Sequence, residues 1–296
     1  MELLQQFFGR RDAAGDGFLE RPQIARLVAA LRDDSGARVA GVGLGVPGLV
    51  NPQTGRVVIS SDLPSVVRED LRASLSDSTG LPVTLDNDAN AGAMGEYTAG
   101  AGRGSRNMFY VTIGTGIGGA LILDGRLWRG ASGFAGEFGH ITIDPEGVEC
   151  TCGNVGCLET VASAPNIVRR THERLMRDST SSLSRLGLNK NFTAADIAHE
   201  AKNGDDFAAL MMARTGRYIG TAIAAVINLL NTERIVLGGG VMNAGDLILE
   251  PVIAEARRRS FQPNFESTQI VTATLGPDAV PIGAALLARD SAQHGS

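Results

Sequence analysis

Between Gly133 and Glu159 runs GFAGEFGHITIDPEGVECTCGNVGCLE, a stretch that holds every cysteine of the chain: Cys150, Cys152 and Cys157. His140 lies ten positions before the first of them. His140, Cys150, Cys152 and Cys157 form a closed Cys₃His set, and structural zinc favours four tetrahedral N and S ligands. Gly153 and Gly156 stand between the last two cysteines, where a tight knuckle needs residues that tolerate positive φ. Three buried free thiols are the plainer alternative, although none of the cysteines lies in an apolar run. Glu137 and Glu159 flank the ligands, and a metal-fixed backbone can present such acids rigidly to a polyhydroxylated ligand. Ordinary surface charges are the other reading of both glutamates, and spacing alone does not separate the two.

A loop pinned in this way needs a scaffold, and the 296 residues, 43% hydrophobic and 20% charged, suffice for two lobes with separate cores. The net charge of −5 comes without a block of like charge, which argues against nucleic acid or an acidic membrane surface as partner. MELLQQFFGRRDAAGDG has neither a long apolar core nor a cleavage site, so it does not read as a signal peptide. The weakly polar run 219–230 is too short to span a bilayer. With cysteines confined to a knuckle, these features predict a cytoplasmic protein.

The pattern along the chain alternates strands and helices. Residues 12–23 echo a calcium loop at Asp12, Asp16 and Gly17, but Ala14 and Gln23 remove two of the oxygen ligands it needs. Ile24, Leu27, Val28 and Leu31 fall at helical spacing. VAGVGLGV at 39–46 reads as a buried strand that empties into Pro47-Gly48. A turn at 51–55, a short strand at 56–59, a helix around 69–76 and a strand at 82–85 follow. This alternation predicts an α/β sheet covered on its faces. The last strand leads into Asp86-Asn87-Asp88-Ala89-Asn90, where open α/β sheets place ligands, although an N-cap cluster would look the same.

The glycines at 100–104 read as a hinge, after which 107–113, 121–123 and 126–128 read as strands of a second lobe. Gly114-Thr115-Gly116 turns between the first two strands, offering amides and a hydroxyl to phosphate oxygens. A hairpin rather than a helix follows, so this is no dinucleotide fingerprint. Thr193 with Asp196 resembles a capping box, and 208–230 is a long apolar-periodic helix. A strand at 234–237 ends in Gly238-Gly239-Gly240, with a helix expected from about Asn243. Close helix packing is the other explanation for those glycines. A strand near 270–273 and a helix over 282–288 close the chain.

Taken together, GEFGH followed by CTCGNVGCLE, with LDNDANAGAMGE, VTIGTGIGG and IVLGGG in order, resembles the ROK family of sugar kinases and sugar-responsive repressors. The resemblance covers Val39 to Leu287. It implies a two-lobed actin-like ATPase fold with RNase H-like sheets and a zinc knuckle. The lobes would be residues 1–104 plus 283–296, and 105–282. It implies ATP-dependent phosphorylation of a hexose, glucose to glucose 6-phosphate foremost, with N-acetylmannosamine or N-acetylglucosamine as alternatives. By the same resemblance Asp88 is the general base, and Asn87, Glu137, His140 and Glu159, with Ser61 and Gly48, contact the sugar. Gly114, Thr115 and Gly116 would hold phosphate, and Gly238 and Gly239 the adenosine. ATP, Mg²⁺ and structural Zn²⁺ are the implied cofactors, and a homodimer or higher homo-oligomer the implied assembly. Family kinases open with an Asp-x-Gly-Gly-Thr hairpin, and no such motif stands before the first helix here. A truncated kinase, a sugar-binding sensor without transfer, and a fragment of a ROK-type regulator are the readings this departure leaves beside an active enzyme.

Overall fold

The computed structural model describes residues 21–35, 39–51, 53–60, 67, 70–176, 181–186 and 192–294. Asp12, Asp16 and Ser61, singled out in the sequence, lie outside them. The chain forms two compact units, one of residues 1–100, 129–134 and 277–296, the other of residues 101–128 and 135–276. Sequence continuity gave no reason to expect 129–134 in the first of these.

In the first unit, helix α1 (Arg21–Ser35) precedes strand β1 (Val42–Val46). β2 (Leu49–Asn51) and β3 (Arg56–Ile59) form an antiparallel pair, and helix α2 (Leu71–Thr79) follows. The Asp70 carboxylate caps α2 by accepting from Ala73 N–H, and Gly80, at φ 66°, ends it in the left-handed conformation. Leu71 and Leu75 on its inner face join Val46, Val57 and Leu85 in an apolar core. Burying a leucine as completely as Leu75 contributes about 1.5–3 kcal/mol.

β4 (Val83–Asn87) pairs in parallel with β1, Val42 opposite Val83 and Val46 opposite Asn87. It runs two residues beyond the predicted strand end and passes without a loop into helix α3 (Asp88–Ala99). Helix α10 (Ala279–His294), longer at both ends than predicted, lies against α3 and β1 at backbone distance. A Cβ at Gly43 would come within 2.0 Å of the Ala284 carbonyl oxygen, and one at Gly95 within 2.2 Å of that of Ala279.

The second unit is built on a five-stranded mixed sheet in the order β7-β6-β5-β8-β9. β5 (Met108–Ile113), β6 (Ile117–Leu123) and β7 (Arg126–Trp128) form an antiparallel meander. β8 (Arg234–Gly238) and β9 (Gln269–Thr272) add parallel to β5. Helices α4 (Glu159–Ala162), α5 (Ala164–Leu175), α6 (Ala194–Lys202), α7 (Asp206–Leu230), α8 (Asp246–Arg259) and α9 (Gln262–Glu266) complete it. The predicted capping box is present: Thr193 Oγ accepts from Asp196 N–H, while the Asp196 carboxylate accepts from Thr193 N–H. Gly216 and Gly220 let α7 and α8 meet closely, since a Cβ at either would come within 2.7 Å of an α8 carbonyl oxygen. The helix expected from Asn243 begins instead at Asp246. Residues Gly240–Ala244 form a 3₁₀ turn that ends at Gly245, whose φ is 67°. Among the described residues no helix is long and apolar enough to cross a membrane.

Candidate functional site

In the first unit, the strand–helix junction gathers the acidic and amide side chains. Asn87 is the N-cap of α3, its Oδ1 accepting from the backbone N–H of Ala89 at 2.8 Å and Asn90 at 3.2 Å. Its Nδ2 donates to the Gly48 carbonyl at 3.0 Å. Gly48 has φ 103°, and a Cβ there would lie 2.1 Å from the Ile59 carbonyl oxygen, so glycine alone fits. Two of the predicted sugar contacts are therefore joined directly. Asp88 is the first residue of α3, half-buried, with Oδ1 accepting from Ala89 N–H at 2.9 Å.

The other acid of this run has a different environment. Asp86 is buried, and its carboxylate pairs with Arg129 at 2.6 Å. Sequence reasoning missed Arg129, which stands in a separate part of the chain. The only local sign was an arginine next to Gly130 after a strand.

In the second unit, the parallel strands β5 and β8 end side by side, and their glycine turns meet. A Cβ at Gly239, φ 87°, would come within 2.4 Å of the Ile113 backbone, next to Gly114. Gly114 N–H donates to the Gly116 carbonyl at 2.9 Å, closing the β5–β6 turn, while Thr115 is exposed at its tip. A Cβ at Gly114 or Gly240 would meet open space. At Gly238 it would approach Tyr110 and Ala273, so that glycine serves packing.

The same turn is tied to the knuckle. Glu159 Oε2 accepts from Ile117 N–H at 2.8 Å, and a Cβ at Gly116 would sit 2.8 Å from that oxygen. Glu159 and the phosphate-type turn, assigned by the sequence to different ligands, are neighbours. The one-turn helix α4 carrying Glu159 is gripped by α5. Asn166 donates to the Glu159 carbonyl at 3.0 Å, Arg169 to that of Thr160 at 2.8 Å, and Arg170 to that of Val161 at 2.6 Å. The Glu159 carbonyl also accepts from Ser163 N–H at 3.2 Å, and the three side chains add partners to the carbonyls of so short a helix.

The loop around His140 packs on β6 through Phe138, whose ring meets Phe109 edge-on with centroids 5.1 Å apart. Gly136 and Gly139 permit this, because a Cβ at either would lie 2.3 Å from a β6 carbonyl oxygen. The ligand atoms of His140, Cys150, Cys152 and Cys157 lie within 4.8 Å of one another. His140 Nδ1 is 3.6 Å from Cys150 Sγ, and Cys152 Sγ is 3.7 Å from Cys157 Sγ. A zinc tetrahedron with ordinary bond lengths has S···N edges of about 3.6 Å and S···S edges of about 3.8 Å. The four donors fit that ion. Gly153 at φ 89° and Gly156 at φ 69° take the predicted backbone conformation.

With Nδ1 on the cysteine side, His140 Nε2 faces Glu137 Oε2 at 3.9 Å. Burial holds the Glu137 carboxyl above the usual range, the His140 charge opposes the shift, and the Glu159 carboxylate adds to it. Glu137, His140 and Glu159 thus form one electrostatic cluster beside the ligand set.

A model of the ROK family matches residues 20–291. The chain is 40% identical over 257 residues to a glucokinase of Halalkalibacterium halodurans, covering 84% of this chain and 76% of that one. It is 32% identical over 248 residues to the xylose repressor of Caldicellulosiruptor bescii, covering 83% of this chain and 61% of the repressor. A ROK family glucokinase from Streptomyces griseus, solved with glucose and AMPPNP, superposes with a TM-score of 0.81 at 33% identity. That match covers 95% of this chain and 89% of the solved one.

Proposed function

Because the chain belongs to the ROK family, with its two-lobed actin-like ATPase fold, we propose that it transfers the γ-phosphoryl group of ATP to the 6-hydroxyl of a hexose, glucose foremost. The observation that carries this reading is the placement of Asp88. It stands at the C-terminal end of a parallel strand and the first turn of a helix, beside the locked Asn87. N-acetylmannosamine and N-acetylglucosamine are the alternative substrates.

A sugar hydroxyl is a poor nucleophile near neutral pH, so its proton must pass to a base as attack develops. The Asp88 carboxylate takes the proton from the hexose O6. That oxygen forms the new bond to the γ-phosphorus while the bond to the β–γ bridging oxygen breaks, and ADP leaves with the electron pair. Asn87, the Gly48 backbone, Ser61, Glu137, His140 and Glu159 are the sugar contacts of this reading. Gly114, Thr115 and Gly116 present amides and a hydroxyl to the phosphates, and Gly238 and Gly239 border the adenosine. Mg²⁺ brought with ATP would supply neutralisation of the phosphate charge. His140, Cys150, Cys152 and Cys157 would hold a zinc ion that stiffens the loop carrying Glu137 and the approach to Glu159. A cytoplasmic homo-oligomer belongs to the same proposal.

The test is a coupled assay of ADP release over a panel of hexoses, with glucose affinity measured by titration calorimetry. Asp88→Asn is expected to bind glucose and to lose at least about 10²-fold in kcat, the share a positioned base contributes. Near-normal turnover in that variant would remove Asp88 from its role. The similarity to a xylose repressor over 83% of this chain favours a second reading, a sugar-binding regulator without transfer. Glucose binding with no ADP release from any hexose would select it.

A further inference from the structure

The Asp86–Arg129 pair has no part in the scheme above, although it lies beside the base. Both oxygens of Asp86 are engaged. Oδ2 accepts from Arg129 Nε at 3.0 Å and Nη2 at 2.6 Å. Oδ1 accepts from the backbone N–H of Asn87 at 2.8 Å and from Asn90 Nδ2 at 2.8 Å. The Asp86 side chain is 7% exposed and that of Arg129 30% exposed. A carboxylate so enclosed is tolerated when it is paired and fully hydrogen-bonded, and here Arg129 supplies the charge. With four donors in place, Asp86 is committed to structure and is no candidate for the base.

What Asp86 holds is the frame of Asp88. Its Oδ1 grips the amide of Asn87, the residue whose backbone sets the direction of the Asp88 side chain. It also grips Asn90 in the first turn of α3, a buried amide whose Oδ1 has no partner among the described residues. Asn87 in turn caps α3 and holds Gly48. With no loop between β4 and α3, the junction carries no slack to absorb a shift of Asp86.

We propose that Arg129 is a positioning residue for the phosphoryl transfer, acting through Asp86 on Asn87 and Asp88. The proposal rests on the hexose kinase reading above. Arg129 touches neither reacting atom. It aligns the base and the sugar contact together, and its removal turns a fixed carboxylate into a poorly aimed one.

The test compares wild type, Arg129→Gln and Arg129→Lys by kcat, KM, glucose affinity from calorimetry and Tm. Arg129→Gln is expected to lower kcat per folded molecule about 10- to 100-fold, the scale of a misplacement near 1 Å, while glucose binds about 3- to 10-fold more weakly. Arg129→Lys keeps the charge and is expected to recover kcat to within about 10-fold of wild type. A kcat per folded molecule within about 2-fold of wild type in the Gln variant overturns the proposal, whatever its Tm. Should that variant not fold, Arg129→Lys carries the test: about a 3- to 10-fold loss at wild-type Tm supports positioning, and unchanged kcat overturns it. If wild type binds glucose without transferring phosphate, the kinase reading fails. The assignment of Arg129, which rests on that reading, is overturned with it, whereas an active wild type with an unaffected Gln variant overturns the assignment alone. A wild-type chain that binds no hexose overturns both.

Discussion

Replacing Gly283 by alanine places one methyl group between two helices that are already in backbone contact. A Cβ there would lie 1.6 Å from the Ala91 carbonyl oxygen, 2.6 Å from the Ala91 carbonyl carbon and 2.8 Å from the Gly95 nitrogen. An ordinary carbon–oxygen approach is about 3.3 Å or more, so α10 and α3 must part by about 1.7 Å. All three neighbours are main chain, so no rotamer change relieves the clash. Overpacking of this kind costs about 3 kcal/mol at the upper end of its usual range. Alanine returns about 1 kcal/mol through its better helix propensity, leaving a net loss of about 2 kcal/mol. For a chain of this size that lowers Tm by about 4–8 °C, measurable by circular dichroism or dye-based melting. Gly240→Ala is the control, because a Cβ there meets nothing within 4 Å, and its Tm should move by less than about 1 °C. Asp88 begins α3, so kcat of Gly283→Ala should fall further than the folded fraction explains. A Gly283→Ala protein that melts at or above wild type would refute the packing argument.

Metal analysis is expected to find about one zinc ion per chain, the stoichiometry of a closed four-ligand site. Binding energy at such a site is folding energy, so chelation should lower both Tm and glucose affinity. Retention of both after zinc is lost would show that the knuckle does not depend on the ion. A second expectation concerns acid stability and Asp205, the N-cap of α7. Burial pushes its carboxyl up, but hydrogen bonds from Ser182, the Ala208 amide and Ser181 outweigh that and hold it down at about 2. The folded pKa lies below the unfolded one, so this stabilisation is complete above about pH 5 and is lost as pH falls through about 4 toward 2. Asp205→Asn should flatten the fall of Tm across that window, and parallel curves for the two proteins would refute the assignment.

How much of this was legible in the sequence depended on whether the signal was local. The four candidate metal ligands could be named from composition and spacing, since three of them lie within eight residues. The polar run at the start of α3 read equally as ligand contacts or as an N-cap cluster, and which of its four polar residues is the cap, Asn87, became clear only in the structure. The end of β4 was not legible, because Asp86 and Asn87 are poor strand formers, and pairing with β1 carries the strand through them. Helix α8 starts later than expected because Gly245 breaks the turn before it. Pairings across long stretches left no trace at all. Arg129 lies 43 positions from Asp86, and Glu159 lies 42 from Ile117. Nor did the chain order reveal that Asn166, Arg169 and Arg170 hold three successive carbonyls of α4.

A strand that becomes a helix between adjacent residues sets a rule for anyone reshaping this protein. One residue inserted or deleted between Asn87 and Asp88 would turn every later side chain of α3 by about 100°, moving Gly95 off the face that meets α10. The junction will therefore reject changes of length. New substrate preference has to be grafted into segments with ends free to move, leaving this joint as the fixed datum against which they are cut.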